Sequence, residues 1–406
     1  MVYAMDDFAG RLAAAMTARG IGVRALARRI HCDPALISRL AAGKQNPSPK
    51  IAQLLDDALG TGGTLAGSPP STPPAAAQPE VARDDELAAI EVSRRASSTS
   101  VGEVTVGRLE QAVDDLAVSY PHLAPGVLLQ RVRGYLDYTT GLLDGKVTLG
   151  EHRRLLVTTG WLSLLSATCL IDLRKFPAAA AYLRTAAELA RETGHAEIAA
   201  WALETKAWQL VTDGEYERAV ALSQAAQRTA PREGSAVIQA TAQEARAWAR
   251  LGSGRETRAA LARAETLASP LPQPDRPEHH YRYDPGKAET YIATTLAWVG
   301  DPAAAGYARD VLRRLEDPAG GPRRPRRVEL ARLDLALALT ASGELDEAAG
   351  MVLTAVTSGL LVPSNSWRAE EVITAISERE VAAVGDLRDA FDEYCLPARR
   401  ALPPAG

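Results

Sequence analysis

The clearest hydrophobic pattern in the N-terminal part of the chain lies between residues 22 and 44. Apolar side chains recur at helical spacing from residue 23 to residue 30, which predicts a short amphipathic helix with arginines on its outer face. Asp33 is a good N-cap, and Pro34 suits the first position of a second helix. Gly43 suits the left-handed residue that ends such a helix. The pattern therefore predicts two short helices joined by a tight turn.

The second of these helices has two different faces. Its inward face is apolar and consists of Leu36, Ile37 and Leu40. Its outward face is small or polar and consists of Ala35, Ser38 and Arg39. Such an outer face, on the second of two short helices, is typical of a helix-turn-helix that enters the major groove of DNA.

The stretch from residue 8 to residue 60 resembles the Cro/repressor-type helix-turn-helix of the XRE family. The resemblance rests on a Leu-Ala pair, a second-helix segment and the turn after it: Leu26-Ala27, Ile37-Ser38-Arg39-Leu40 and Gly43-Lys44-Gln45-Asn46-Pro47-Ser48. It implies a five-helix head that binds double-stranded DNA. The chain departs from the family at His31, where a turn glycine is common, and at Ala41, where an acidic residue is common. A positive φ at His31 would be strained.

The resemblance also implies roles for seven residues of this head. Pro34, Ala35 and Arg39 occupy positions that the family presents to base edges, and Arg39 can bind guanine through two hydrogen bonds. Four further positions suit phosphate contacts, namely those of Arg24, Ser38, Lys44 and Gln45. The arginines could instead form an ordinary solvated helix face. Seven basic residues against one acidic residue between residues 19 and 50 favour DNA binding.

Composition gives the rest of the chain a different character. The formal net charge is -4, although the first 60 residues carry eight basic and five acidic residues, so the body is acidic. The three cysteines show no metal-ligand spacing, and residues 1–10 lack the apolar core of a signal peptide. These features predict that the protein binds no metal ion and is cytoplasmic, and that it is nucleoid-associated when bound to DNA. Residues 155–171 carry no charge but are short for a membrane span and partly polar, which favours a buried helix.

A tract rich in Gly, Pro, Ser and Ala follows the head. It has no apolar period, which predicts a flexible linker. We therefore expect a DNA-binding domain at residues 1–60, a linker at residues 61–83 and an all-helical body at residues 84–406.

A repeated turn organises the predicted body. Five similar segments, about 40 to 46 residues apart, begin at Arg174, Gly214, Gly254, Gly300 and Gly343. Each follows one predicted helix and precedes another, and stacked helical hairpins bury one another's apolar faces in an α-solenoid. Residues 200–231 resemble a tetratricopeptide repeat through Leu203, Ala207, Leu210, Gly214, Tyr216, Ala219, Ala226 and Pro231. The body is thus expected to be a solenoid of tetratricopeptide-like hairpins, most regular between residues 155 and 361.

The inner wall of such a repeat array carries the candidate ligand-binding residues. In the repeat register these are Trp161, Trp201, Glu204, Trp208, Glu244 and Trp248. Tryptophan offers a broad contact surface and one donor, and glutamate can hold amide groups, which suits an extended ligand. The tryptophans could instead be wedges between helices.

Two further segments have a structural and a functional interpretation. The Pro-rich stretch from residue 269 to residue 286, which contains His279 and His280, is either a connector or a ligand lid. The basic run from residue 323 to residue 327 is either a solvated loop or a second phosphate contact. The sequence has no phosphate-cradling glycine loop, nucleophile elbow or metal-ligand spacing, so we expect neither an enzyme nor a cofactor.

Together these features predict a sequence-specific transcriptional regulator. Its repeats would mediate homodimerisation and sense a peptide, a small molecule or a protein partner. The architecture is similar to that of cytoplasmic peptide-receptor regulators, and heavy use of Ala and Arg with little Lys suggests an actinobacterial source. The alternative is a protein-interaction scaffold in which the repeats dock a protein and the DNA-binding head is accessory.

Overall fold

The computed structural model describes residues 8–30, 32–45, 47–61, 81–96, 101–272, 276, 278–283, 285–316, 325–379 and 384–395. Every regular element in these residues is an α-helix, which agrees with the predicted all-α class. The chain divides into two compact units, Met1–Glu86 and Leu87–Gly406.

The head contains four helices among its described residues: α1 (Phe8–Ala18), α2 (Val23–Arg29), α3 (Pro34–Ala41) and α4 (Pro49–Leu59). Their apolar faces meet in one core that includes Leu12, Leu26, Ile37, Leu40 and Leu55. The expected fifth helix is not present in residues 8–61. After Leu59 the sequence turns to glycine and proline, which offer no apolar face for another helix. Of the predicted linker at residues 61–83, residues 62–80 lie outside the described residues, as does His31, and residues 81–83 belong to the first turn of a further helix that begins at Val81.

The remaining helices run from α5 to α19. Their bounds are α5 (Val81–Ala96), α6 (Glu103–Ser119), α7 (Pro125–Leu143), α8 (Leu149–Asp172), α9 (Phe176–Thr193), α10 (Ala196–Thr212), α11 (Tyr216–Thr229), α12 (Ser235–Arg250), α13 (Gly254–Ala268), α14 (Pro285–Val299), α15 (Ala304–Leu315), α16 (Pro325–Ser342), α17 (Leu345–Thr357), α18 (Ser366–Ser377) and α19 (Val384–Tyr394).

These helices form two rows. The even-numbered helices from α6 to α18 pack successively against one another as an inner row. Each odd-numbered helix from α7 to α17 packs against the even-numbered helices before and after it, as an outer row. Small side chains at the contacts, such as Ala207 and Ala219, are completely buried and let the helices approach closely. The arrangement is the predicted α-solenoid of helical hairpins.

Five hairpin turns within this array share one backbone geometry. Each contains a residue with positive φ, and these residues are Arg174, Gly214, Gly252, Gly300 and Gly343. In the second turn, for example, the Gly214 amide donates to the Val211 carbonyl oxygen at 3.3 Å, and the next amide donates to the Leu210 carbonyl oxygen at 2.9 Å. The predicted alignment on Gly254 was wrong by two residues, because Gly252 takes the left-handed conformation and Gly254 begins α13.

The uncharged stretch from residue 155 to residue 171 lies within α8. Among the described helices, α8 is long and apolar enough to cross a membrane, and 83% of its most apolar window is buried inside the protein. Its apolar side chains pack in the largest core cluster of the body, together with residues of α6, α7, α9 and α10. This burial agrees with the predicted core helix.

Two long-range contacts bring the start of the solenoid close to its last inner helix. The buried Asp172 carboxylate, at the end of α8, accepts hydrogen bonds from the Tyr120 hydroxyl at 2.8 Å and the Ser364 hydroxyl at 2.9 Å. The Arg326 guanidinium, on α16, donates to the Leu123 carbonyl oxygen. The inner row therefore curves around an enclosed space.

The connector between α13 and α14 runs along this inner wall. The His280 amide donates to the Ala117 carbonyl oxygen at 3.1 Å, and the His279 Nε2 lies 3.0 Å from the Asp114 carboxylate. The Tyr281 hydroxyl lies 3.2 Å from the Thr168 hydroxyl, and its ring packs beside Trp201 with centroids 5.2 Å apart. The segment thus connects α13 to α14, one of its two predicted roles, and it also fills part of the concave face.

Candidate functional site

The head presents one exposed face built on α2 and α3. Buried Leu26, Ala27, Ile37 and Leu40 hold the two helices together from behind. All seven residues predicted to contact DNA are exposed on the head: Arg24, Pro34, Ala35, Ser38, Arg39, Lys44 and Gln45. The face therefore has the small, polar and cationic surface that groove entry requires.

Both ends of α3 are closed as the sequence predicted. The Asp33 carboxylate accepts from the Ala35 amide at 2.7 Å, and Pro34 is the first helical residue. At the other end, Gly43 has a φ of +67°, and the Lys44 amide donates to the Arg39 carbonyl oxygen at 2.9 Å. This is the Schellman geometry, which satisfies carbonyls that the helix end would leave without donors. The caps fix where the outer face of α3 begins and ends.

The Arg39 side chain is held by the loop that follows α3. Its Nε donates to the Gln45 Oε1 at 3.0 Å. Among the described residues no other group bonds to the guanidinium, so its two terminal amino groups remain available. A guanidinium edge of this kind can donate to both the O6 and N7 atoms of guanine. Gln45, which the sequence suggested as a phosphate contact, is therefore also placed to orient Arg39.

The neighbouring cations divide between structural and solvent-facing positions. Arg24, Arg28 and Arg29 are exposed on α2, next to the α3 face in the sequence order of the motif. Arg19, in contrast, donates to the Gly60 carbonyl oxygen at 2.8 Å and ties the end of α1 to the end of α4. Part of the basic charge counted in the sequence thus stabilises the head.

The body contains a cavity of about 160 Å³ on the inner face of the solenoid. Its wall consists of Tyr120, Pro121, Trp201, Glu204, Thr205, Trp208, Gln239, Arg246, Glu278, His280, Lys287, Thr290, Tyr291, Thr294, Arg326, Arg327, Leu330, Val362, Asn365 and Arg368. The inner helices α10, α12, α14, α16 and α18 each contribute residues to this wall, and loops between helices contribute the others. Aromatic rings and charged groups therefore meet in one small space.

The structure brings together three of the six residues predicted to bind a ligand. Trp201, Glu204 and Trp208 line the cavity. The Trp201 ring is 1% exposed and its Nε1 donates to the Glu197 carboxylate at 3.0 Å, so this residue is both a wedge and part of the wall. Trp161 lies in a separate cleft beyond Tyr281, with ring centroids 5.1 Å apart.

The prediction that Glu244 and Trp248 line the same wall was wrong. Glu244 points toward the outer row, where its carboxylate accepts from Gln224 at 3.0 Å, from Gln227 at 2.8 Å and from Arg263 at 2.7 Å. Trp248 donates to Glu244 at 3.2 Å and packs in an apolar cluster with residues of α10 and α11. Because the turn lies at Gly252 and not at Gly254, the inward-facing positions of α12 lie two residues earlier in the sequence than predicted.

With the corrected turn, Gln239 and Arg246 of α12 occupy the inner-wall positions of Trp201 and Trp208. The Gln239 Nε2 donates to the Glu204 Oε1 at 3.0 Å and to the Tyr291 hydroxyl at 2.7 Å. Burial raises the pKa of Glu204. The sequence did not predict Gln239 and Arg246, because Gly252 and Gly254 were both candidates for the left-handed turn position from which the inner wall is counted.

Three arginines surround the ring of Trp298 on α14. The guanidinium carbons of Arg246, Arg250 and Arg368 lie 5.0, 5.2 and 5.6 Å from the centre of this ring. Arg250 forms an ion pair with Glu371, and Arg368 forms one with the buried Asp334. The Arg246 Nη1 donates to the Gln243 Oε1 at 2.9 Å. These side chains therefore hold positive charge against aromatic surface.

The described residues contain no group of three or more His, Cys, Asp or Glu side chains that could hold a metal ion.

Comparison with known proteins identifies the head. A family model described as a helix-turn-helix domain matches residues 7–66. No curated protein matches the chain. The matched region covers α1 to α4 with their caps and the exposed α3 face, so the chain carries a helix-turn-helix domain of the kind found in DNA-binding regulators.

Proposed function

We propose that this chain is a sequence-specific transcriptional regulator that reads DNA with α3 as a homodimer and senses a ligand in its solenoid. The observation that carries the proposal is the exposed face of α3, on which Arg39 is oriented by Gln45 and flanked by the exposed cations Arg24 and Lys44. One such head contacts few phosphates, and helix-turn-helix proteins gain firm binding by pairing two heads on two half-sites. The proposal includes a cytoplasmic location and assigns no catalytic step to the chain.

The solenoid supplies the sensing role in this proposal. Its inner wall contains a cavity in which aromatic and polar side chains converge, and concave sites of this kind are where proteins bind small molecules. The effector classes are a peptide, a small molecule or a protein partner. A tetratricopeptide-like array of this kind also offers outer helices for contact between two copies.

The test uses the full chain and fragments of genomic DNA. Selection should enrich fragments with two related half-sites, and sedimentation should find a dimer on them. Arg39→Ala should lower affinity for the selected site about 10-fold or more, and much less for competitor DNA. If Arg39→Ala weakens both to the same extent, α3 does not read bases. The protein would then fit the rival role, in which the repeats dock a protein and the head is accessory.

A further inference from the structure

The Arg246 side chain differs from the other arginines around Trp298. It is 7% exposed, and among the described residues no carboxylate lies within ion-pair distance of it. Arg250 and Arg368 each have a carboxylate partner, namely Glu371 and Asp334. The Glu204 carboxylate attracts the Arg246 guanidinium electrostatically without contacting it. The hydrogen bond that Glu204 accepts comes from Gln239. A guanidinium stays protonated even when buried, so its charge is held inside the protein against the rings of Tyr291 and Trp298 and without a carboxylate in contact with it.

Hydrogen-bonding capacity on the same wall is also unused. No group in the described part of the chain bonds to the Arg246 Nε or to the Gln239 Oε1, although Gln239 is 3% exposed. Both residues line the cavity. Buried polar groups are almost always satisfied, so two such atoms at one cavity point to a ligand that satisfies them. The Arg246 Nε is a donor and suits an anionic group of the ligand, whereas the Gln239 Oε1 is an acceptor and suits a hydroxyl or amino group elsewhere on the ligand.

The charge of the wall favours an anion. Five lining side chains are cationic, namely Arg246, Lys287, Arg326, Arg327 and Arg368, and two lining side chains are carboxylates, Glu204 and Glu278. Arg326 and Arg368 are partly neutralised from behind by Asp172 and Asp334. Lys287 donates to the His280 carbonyl oxygen at 2.8 Å. Arg246 combines deep burial with an Nε that has no bonded group among the described residues, so we assign the incoming negative group to it.

Size and shape limit the rest of the ligand. A cavity of about 160 Å³ is close to the ~150 Å³ that holds one benzene molecule. Trp208 and Tyr291, which are half-buried, provide aromatic surface for a ring. Such a space fits a molecule with a single ring better than an extended peptide of several residues.

We propose that the cavity binds a small molecule with one planar ring and one anionic group, a carboxylate or a phosphate ester, and that Arg246 holds the anionic group. This inference rests on the proposed function only in that the cavity serves as the sensing site of the regulator. A guanidinium binds both carboxylates and phosphates through two parallel hydrogen bonds, so the two groups share one recognition chemistry.

The experiment measures binding of benzoate, phenyl phosphate and benzamide to the full-length protein in low-chloride buffer, by tryptophan fluorescence and thermal unfolding. Benzamide has the shape of benzoate without its charge. We expect at least one anion to bind at least tenfold more tightly than benzamide, and the stronger anion identifies the carboxylate or the phosphate ester. Arg246→Met should weaken binding of that anion at least tenfold, and Arg246→Lys should weaken it less.

Arg250→Met is the matched control, because Arg250 lies one turn further along α12 and stacks on the same Trp298 ring. It does not line the cavity, so its removal should leave the preference for the anion in place. Equal binding of benzoate and benzamide, no binding of either anion, or an anion preference that survives in Arg246→Met and Arg246→Lys would overturn the inference. Specific DNA binding, measured separately, tests the proposed function, and its loss would leave the anion site standing.

Discussion

The hydrogen bond from the Arg39 Nε to the Gln45 Oε1 orients the Arg39 side chain on the surface of the head. Gln45→Ala should weaken specific DNA binding through Arg39, by less than the ~1–3 kcal/mol expected for Arg39→Ala. The double variant should lose little more than Arg39→Ala alone, because both changes remove one unit of recognition. Fluorescence anisotropy on a selected site, with competitor DNA, measures this coupling.

Lys44→Ala is the control for the comparison of Arg39→Ala, Gln45→Ala and their double variant. Lys44 is exposed beside Gln45 and suits a phosphate, so its removal should weaken specific and non-specific binding alike and lower the salt slope by about one. Losses of Arg39→Ala and Gln45→Ala that simply add would mean that Gln45 acts on DNA independently of Arg39.

We expect Arg246 and Arg368 to contribute differently to stability, although both are buried on the same cavity. Arg246→Met removes a buried charge that has no ion-pair partner, so we expect stability to be unchanged or to rise by about 1 kcal/mol. Arg368→Met leaves the Asp334 carboxylate, which is 1% exposed, without its cation, and should cost ~3–5 kcal/mol. Urea unfolding measures both, and a similar loss in the two variants would show that Arg246 is a structural residue.

Among the elements, the turn between α8 and α9 is the exception in the array. Arg174 has a φ of +56°, at the position where four related turns have glycine. The left-handed conformation costs a residue with a side chain roughly 1–2 kcal/mol, which glycine avoids. Glycine also makes the unfolded chain more flexible, which offsets part of this gain, so Arg174→Gly should stabilise the body by about 1 kcal/mol. Thermal unfolding should show a higher midpoint.

The adjacent residue is the control for this turn. Lys175 has a φ of -89°, which any residue adopts, so Lys175→Gly should gain nothing and lose a few tenths of a kcal/mol through added chain entropy. An equal change in both variants would show that backbone strain at Arg174 is not the cause.

The elements also show how far the sequence determines the fold and the site. Asp33, Pro34 and Gly43 predicted both ends of α3, because caps are local chemistry. In the third hairpin turn both Gly252 and Gly254 could take the left-handed position, and the sequence pattern did not discriminate between them. The alignment on Gly254 placed the predicted inner face of α12 two residues too late in the sequence, so Gln239 and Arg246 were not among the predicted residues. A local pattern sets helix type well, but the rotation of an alanine-rich helix depends on its neighbours.

At the scale of the whole body, the connector between α13 and α14 contacts three separate helices. Its residues bond to α6 through Asp114 and Ala117, to α8 through Thr168 and to the start of α12 through Ser235. No local signal in the sequence predicts such contacts, since they join positions far apart in the chain. Open repeat arrays unfold in parts because each repeat touches only its neighbours. This connector links non-adjacent repeats, so it should make the unfolding of the body more cooperative.

The same connector makes the stability of the body depend on pH through His280. Desolvation of the ring, helped by the positive charge of Lys287, lowers the pKa of His280 well below its usual value. The unfolded chain takes up a proton near pH 6.5, whereas the folded protein keeps this ring neutral. The contribution of His280 is therefore fully present above about pH 6.5 and is lost as the pH falls below it, by up to ~1.4 kcal/mol per pH unit.

His280→Phe isolates this effect, because phenylalanine keeps the ring packing on Tyr120, at 4.2 Å between centroids, and cannot titrate. Between pH 7 and pH 5 the wild-type protein should lose more unfolding free energy than the variant, as measured by urea unfolding. Other titrating groups, such as Asp172 and Glu204, are present in both proteins and cancel in the comparison. Between pH 7.5 and pH 8.5 the difference should be constant, because His280 is neutral in both states. A difference that stays constant down to pH 5 would mean that the folded protein protonates His280 as readily as the unfolded chain, which would require the connector to leave the inner wall.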